Sequence, residues 1–78
     1  MTSRVVFSHE FLIAIQIRGL TLTELAQRAN VAPATVSAAV RGRQVNVSTA
    51  LRLSRTVSAC KVVPELVTWV GGANERGL

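Results

Sequence analysis

Side chains that bind metals or act as nucleophiles are scarce in this sequence, which has one cysteine, one histidine and no aspartate. A single cysteine cannot form an intramolecular disulfide, and these counts leave no cluster of metal ligands. No paired carboxylates converge, His9 falls in the first turn of the first predicted helix, and Cys60 has no evident base. We therefore predict no enzymatic activity, no metal and no cofactor, and we interpret Cys60 as a small apolar core residue.

Long hydrophobic runs are also absent. The longest, Phe11–Ile15, is too short to span a bilayer, and no processing site follows Met1–Arg4 as it would in a signal peptide. We expect a soluble, cytoplasmic protein with no membrane partner. The chain of 78 residues is predicted to form one small domain over 1–78, near the size at which self-association helps to complete a core.

Acidic residues are missing from the centre of the chain. The net charge is +5, the sequence pI is about 11.5, and no acidic residue lies between Glu24 and Glu65. The basic residues of this interval are Arg28, Arg41, Arg43, Arg52, Arg55 and Lys61. Such a zone is typical of a surface that meets a polyanion. The alternative is a solvated basic face in a chain whose preference for arginine reflects a GC-rich genome.

Hydrophobic periodicity predicts helices in the first half of the chain. The segment "SHEFLIAIQIRG" predicts a mostly buried first helix from Ser8 to Gly19. In "TLTELAQRA", Thr21 and Glu24 have the spacing of a capping box at the start of a second helix. One stripe of this helix is apolar and consists of Leu22, Leu25, Ala26 and Ala29.

A sharp turn is predicted at Asn30, since asparagine tolerates the left-handed backbone conformation. Pro33 has a preset φ suited to the first position of a helix, so we place a third helix from Pro33 to about Arg41. Gly42 is expected to end this helix.

The third helix has two faces of different character. Val36 and Val40 are predicted to form its inner face, and small Ala26 is expected to let the second helix approach it closely. The outward stripe is formed by Ala34, Ser37, Ala38 and Arg41. Small side chains allow a helix to sit deep in a DNA groove, with methyl groups available to thymine methyls. The alternative is a plain alanine-rich surface helix.

Two more helices are predicted in the second half. Asn46 is a good N-cap for a fourth helix, "VSTALRLSRTVSA", with Arg52 and Arg55 outside. The inward residues of this helix are predicted to be Val47, Leu51, Leu53, Ser54 and Val57. Pro64 opens a last helix, "PELVTWV", which two glycines end, and the tail over about 72–78 is expected to be flexible.

The stretch "LTLTELAQRANVAPATVSAAVRGRQVNVSTALRLSRTV" resembles the helix-turn-helix domain of the phage-repressor and Cro type. The shared positions are Leu20, Thr21, Glu24, Leu25, Ala26, Val31, Thr35, Val36, Ser37, Gly42, Leu51 and Leu53. This resemblance covers about half of the chain. It implies an all-α, lambda-repressor-like fold, a compact bundle of about five short helices with the helix-turn-helix at about 21–41.

The resemblance also implies a ligand, double-stranded DNA, and a set of contacts. The implied DNA-binding residues are Thr23, Gln27, Pro33, Ala34, Thr35, Ser37, Ala38, Arg41, Arg43, Gln44 and Asn46. In the family, the first residues of the third helix read bases. A glutamine often begins the second helix and braces a phosphate, but this chain has Leu22 there, and Thr23 or Gln27 is the candidate substitute.

The family includes several kinds of regulator. The resemblance implies a sequence-specific transcriptional regulator in a bacterial or phage-infected cell, a phage, prophage or mobile-element repressor or Cro-like protein on a palindromic operator. An antitoxin that binds a toxin and represses its own promoter is the alternative.

Apolar residues are more abundant near the C-terminus than one short helix needs to cap a core. They are Val62, Val63, Leu66, Val67, Trp69 and Val70. Because tryptophan is typical of interface anchors, we predict a homodimer interface formed by Val63, Leu66, Val67, Trp69 and Val70. The alternative is that Trp69 plugs the core against the first helix. At the other end, an arm with Arg4 either lies along a DNA groove or is disordered.

Overall fold

The computed structural model describes residues 3–69, which form five helices and a small antiparallel sheet. In chain order the elements are β1 (Arg4–Val5), α1 (Glu10–Gln16), α2 (Leu22–Ala29), α3 (Pro33–Val40), β2 (Val45–Asn46), α4 (Val47–Ala59) and α5 (Pro64–Trp69). The predicted all-α class and the succession of helices are confirmed for this part of the chain. Val70, the two glycines that follow it and the predicted flexible tail lie outside the described residues. No helix within 3–69 is long and apolar enough to cross a membrane.

The core lies where helices α1 to α4 meet. Its largest fully buried side chains are Ile15, Leu25, Val36 and Leu53, one from each of these helices. Ala26 is also buried, as expected of a small residue where α2 and α3 pack together. On α3 the buried partner of Val36 is Ala39, whereas Val40 is only half-buried. The inner face of α3 therefore differs by one residue from the predicted pair of valines.

The start and the end of α2 follow local rules. The Glu24 N–H donates to Thr21 Oγ1 at 3.0 Å, and the Thr21 N–H donates to Glu24 Oε1 at 3.0 Å, which is the predicted capping box. Asn30 follows the helix with φ 57° and ψ 51°, so the predicted left-handed turn is confirmed. Pro33 then begins α3, and Gly42 follows that helix with φ +81°.

Helix α1 is shorter than the predicted span from Ser8 to Gly19. The Ile17 N–H still donates to Ile13 O at 2.9 Å, but the Arg18 N–H donates three residues back, to Ile15 O, at 3.2 Å. The last turn thus tightens into 3₁₀ geometry, and Gly19 with φ +70° ends it. At the other end, a hydrogen bond with the Ser8 side chain lowers the pKa of the exposed Glu10 carboxyl.

Helix α4 buries a different stripe from the predicted one. Leu53 is fully buried, together with Ala50 and Val57, whereas Leu51 is 46% exposed and Val47 is 42% exposed. Residues two apart on a helix lie about 200° apart around its axis, so Leu51 and Leu53 cannot both face the core. The prediction of an inward Leu51 and Val47 was wrong, and Ala50 takes the inner position.

The sheet was not predicted. Strand β1 pairs with β2 in antiparallel register, with Arg4 opposite Asn46 and Val5 opposite Val45. The Val47 N–H also donates to Ser3 O at 3.2 Å. Arg4 therefore belongs to a strand rather than to an extended arm or a disordered terminus.

The C-terminal part of the described chain packs lightly. The Val63 N–H donates to Ile17 O at 2.8 Å, which ties the start of α5 to α1. No residue of α5 is buried, and Trp69 is 84% exposed. The interpretation of Trp69 as a plug of the core is therefore wrong.

Cys60 is partly exposed rather than a core residue. Its thiol sulfur accepts a hydrogen bond from Arg28 Nη1 at 3.5 Å, and its carbonyl oxygen accepts one from Arg18 Nε at 3.0 Å. Cys60 lies just beyond the end of α4 and outside the buried stripe of that helix. Its hydrogen-bond partners are therefore arginine side chains. The prediction of a core cysteine was wrong.

Candidate nucleic-acid interface

The outer face of α3 is built from small side chains. Val36 and Ala39 hold the helix against the core, so the residues between them turn outward. Ala34 is exposed and Ser37 and Ala38 are half-buried. Arg41 is the exposed C-cap residue, one turn beyond Ser37. The outward stripe predicted for the third helix is thus present on the molecular surface.

A cleft of about 310 Å³ runs between α3 and the sheet. Five residues that the resemblance implied in DNA binding lie together along it, and they are Ala34, Thr35, Ala38, Gln44 and Asn46. Arg4, Val45 and Thr49 line the same cleft but were not among the implied contacts. The position of Thr49 in the first turn of α4, three residues after Asn46, is a signal from which it could have been found.

Other implied contacts lie outside this cleft. Gln27 and Pro33 line a separate depression of about 330 Å³ at the turn between α2 and α3. Thr23 is exposed near the start of α2. Arg43 is exposed just past α3, where its N–H donates to Ala38 O at 3.0 Å. Five of the implied residues therefore lie together in the cleft, and the others lie outside it.

Every basic residue between Glu24 and Glu65 is exposed. In the described part of the chain, three arginines donate side-chain hydrogen bonds within the fold: Arg18 to Ala14 O and Cys60 O, Arg28 to the Cys60 sulfur, and Arg52 to Asn30 O. Within residues 3–69 we find no such bond from the guanidinium groups of Arg4, Arg41 or Arg43. These three are therefore available to an external anion.

The N-terminus of a helix can offer backbone N–H groups to phosphates, but in α2 and α4 some of these groups are already occupied. In the structure the Glu24 N–H is occupied by Thr21 Oγ1, and the Glu24 carboxylate lies at the start of α2. The Val47 N–H at the start of α4 is occupied by Ser3 O. Asn46 is the N-cap residue of α4 but makes no side-chain cap hydrogen bond. Fewer backbone N–H groups are therefore free for phosphates at these two ends, which leaves the guanidinium groups as the main candidate phosphate ligands.

Helices α2 and α3 pack tightly together, a residue in the left-handed conformation lies at the turn between them, and α3 has an exposed face. These features, in a basic zone of the sequence, define a helix-turn-helix protein. The sequence model of the family described as helix-turn-helix matches residues 14–57, more than half of the chain. The protein therefore belongs to the Cro/C1-type helix-turn-helix family, as the resemblance predicted, and it is a DNA-binding transcription regulator. Comparison with curated proteins and with solved structures gives no significant match.

Proposed function

We propose that this protein is a repressor or Cro-like regulator of a phage, prophage or other mobile element, and that it binds a palindromic operator as a homodimer. Helix α3 enters the major groove with its stripe of small side chains. The observation that carries this proposal is the cleft beside α3, in which Ala34, Ala38 and Gln44 converge beside Arg4. Alanine methyl groups there suit thymine methyls, and Gln44 supplies an amide to a base edge.

Contacts to the DNA backbone complete the proposed interface. Thr35 lies at a position suited to a phosphate contact, and Arg41 and Arg43 grip phosphates at the end of α3. Asn46 contacts the backbone from the start of α4. Ser37 contacts a base from the centre of the stripe, Gln27 and Pro33 lie toward the turn between α2 and α3, and Thr23 lies near the start of α2. Because few of these side chains make bidentate hydrogen bonds, much of the specificity comes from DNA shape and from two half-sites.

Ala38→Gln is expected to change the preferred DNA sequence while leaving the melting temperature within about 2 °C of the parent. The added amide projects from the half-buried Ala38 into the cleft, where it collides with a base edge or makes a new contact. The measurement is selection of binding sites from random double-stranded DNA, together with thermal unfolding. A palindrome recovered with the parent protein would support both the ligand and the dimer.

Ala59→Gln is the matched control. It makes the same chemical change at an exposed position at the far end of α4, about 20 Å along that helix from Asn46. This variant is expected to select the parental site. An unchanged site and an unchanged melting temperature for Ala38→Gln would mean that α3 is only an alanine-rich surface helix.

The proposed dimer uses the α5 surface. Val67 and Trp69 are exposed on this helix, Val62 is exposed just before it, and Val63 and Leu66 are half-buried. An exposed apolar surface on a small monomer is typical of an association site. Val70, which the prediction included, lies outside the described residues.

Trp69→Ala is expected to convert the dimer to monomer at micromolar concentration and to weaken operator binding about tenfold or more, since a central tryptophan often anchors an interface. The melting temperature of the monomer should change little because Trp69 is 84% exposed. Sedimentation across a concentration series is the measurement, and Thr68→Ala on the same helix is the control. A parent protein that sediments as a monomer at high micromolar concentration would contradict the proposed dimer.

The same exposed α5 surface favours a second candidate function. In an antitoxin, this apolar surface would cover a toxin while α3 binds the promoter of the pair. A toxin gene next to the gene for this protein would favour the antitoxin, and a divergent phage gene would favour the repressor. Co-purification with the product of that neighbouring gene, and its loss in Trp69→Ala, would test the antitoxin directly.

A further inference from the structure

We propose that Arg4, held by strand β1 beside α3, reads a guanine in the major groove and is a specificity-determining residue. The inference rests on the proposed function, since it places α3 in that groove. Arg4 lies outside the matched family region at 14–57, so its contribution comes from the structure of this chain.

The pairing of the strands fixes the face of the sheet from which the Arg4 side chain projects. Arg4 is opposite Asn46, and the bond from the Val47 N–H to Ser3 O flanks this pair. In antiparallel sheets this pattern identifies the narrow, non-hydrogen-bonded kind of pair, in which opposite Cα atoms are about 4.5 Å apart and the side chains share one face. Arg4 therefore projects on the same side as Asn46, and both line the cleft beside α3.

Contacts on both sides of Arg4 hold it there. On one side Ser3 O accepts the hydrogen bond from the Val47 N–H at the start of α4. On the other side the Phe7 ring stacks on the core residue Phe11, with ring centroids 3.8 Å apart. The backbone of Arg4 is thus positioned before DNA arrives, which reduces the entropy that a flexible arm would lose on binding.

The chemistry of the cleft explains what Arg4 adds. Along the cleft, α3 supplies Ala34, Thr35 and Ala38, and these side chains make methyl or single hydroxyl contacts. A guanine presents O6 and N7 acceptors that match the two parallel N–H groups of a guanidinium. Arg4 is exposed and has no hydrogen bond from its guanidinium within residues 3–69. It supplies the bidentate donor that α3 lacks.

Arg4→Ala is the direct test, with site selection from random double-stranded DNA as the measurement. The parent is expected to select a G·C pair at one position of each half-site. In Arg4→Ala the preference at that position should fall about 5- to 150-fold, while the other positions keep theirs. Lys61→Ala, which removes one charge at the far end of α4, should leave every preference unchanged.

Val5→Pro tests the placement of Arg4 by the strand. Proline removes the N–H that Val5 offers to its partner Val45 while leaving Arg4 and its charge in the chain. We expect this variant to lose the same G·C preference as Arg4→Ala, with the helices retained by circular dichroism. If Val5→Pro keeps the preference that Arg4→Ala loses, placement by the strand is overturned.

The remaining outcomes separate the inference from the proposed function. If Arg4→Ala binds every sequence more weakly but keeps the G·C preference, Arg4 holds a phosphate and the inference is overturned while the proposed function stands. If Arg4→Ala changes neither affinity nor preference, Arg4 does not contact DNA. Failure of the parent to select any sequence would overturn the proposed function and the role of Arg4 with it.

Discussion

Raising the salt concentration from 50 to 200 mM is expected to lower the affinity of this protein for DNA about 10³- to 10⁴-fold. If the proposed dimer neutralises about six to eight phosphates, it releases their counterions, which gives a log–log slope on the order of −5 to −7. The proposed phosphate contacts include Arg41 and Arg43, which are exposed at the end of α3 and just past it. The measurement is the equilibrium binding of a selected operator across a salt series.

Arg41→Ala and Arg43→Ala dissect this salt dependence. If the arginine holds a phosphate, each substitution should weaken binding to all DNA and reduce the slope by about one for each phosphate that a protomer no longer neutralises. Lys61→Ala removes the same charge at the far end of α4 and should leave the slope nearly unchanged. A slope near zero for the parent protein would contradict binding to the DNA backbone.

Leu53→Ala is expected to lower the free energy of unfolding by about 2–5 kcal/mol, a large part of what holds a domain of this size together. Leu53 is 0% exposed and is among the largest fully buried side chains of the core, so truncation leaves a cavity between helices. The melting temperature should fall by at least about 10 °C. Urea and thermal unfolding at low micromolar concentration are the measurements.

Leu51→Ala is the matched control for that substitution. It makes the same truncation two residues earlier in α4, on a side chain that is 46% exposed. We expect a decrease of less than about 1 kcal/mol, because the side chain gives up little buried area. Equal effects of the two substitutions would mean that α4 is rotated about its axis so that Leu51 also faces the core.

The features that the sequence predicted well depend on residues close together in the chain. The capping box needs only Thr21 and Glu24, and the left-handed turn needs only Asn30, so both can be recognised without knowing the rest of the fold. Pro33 likewise marks the start of α3 by its own backbone geometry. These signals placed the helix pair and its turn, and with them the outward stripe of α3.

The features that the sequence did not reveal depend on distant contacts. The pairing of Arg4 with Asn46 joins two-residue strands that are too short to show an alternating pattern. That pairing also brings Arg4 to the cleft beside α3, a position that no local signal in the sequence indicates. The rotation of α4 was mispredicted because Leu51 and Leu53 are equally apolar, and only the position of the core decides which of them is buried.

The shortness of α3 limits how much sequence information the helix can extract from DNA. Eight residues make a helix about 12 Å long, which spans about three to four base pairs at 3.4 Å each. In the proposed dimer, base contacts from α3 alone would specify two such half-sites, a word of about six to eight base pairs that recurs by chance on the order of once in 10⁴ base pairs. In a genome of about 10⁶ base pairs, about a hundred chance matches would compete for the protein. A compact replicon holds only a few, so a regulator of this design discriminates best on a small genome or where several operators are clustered.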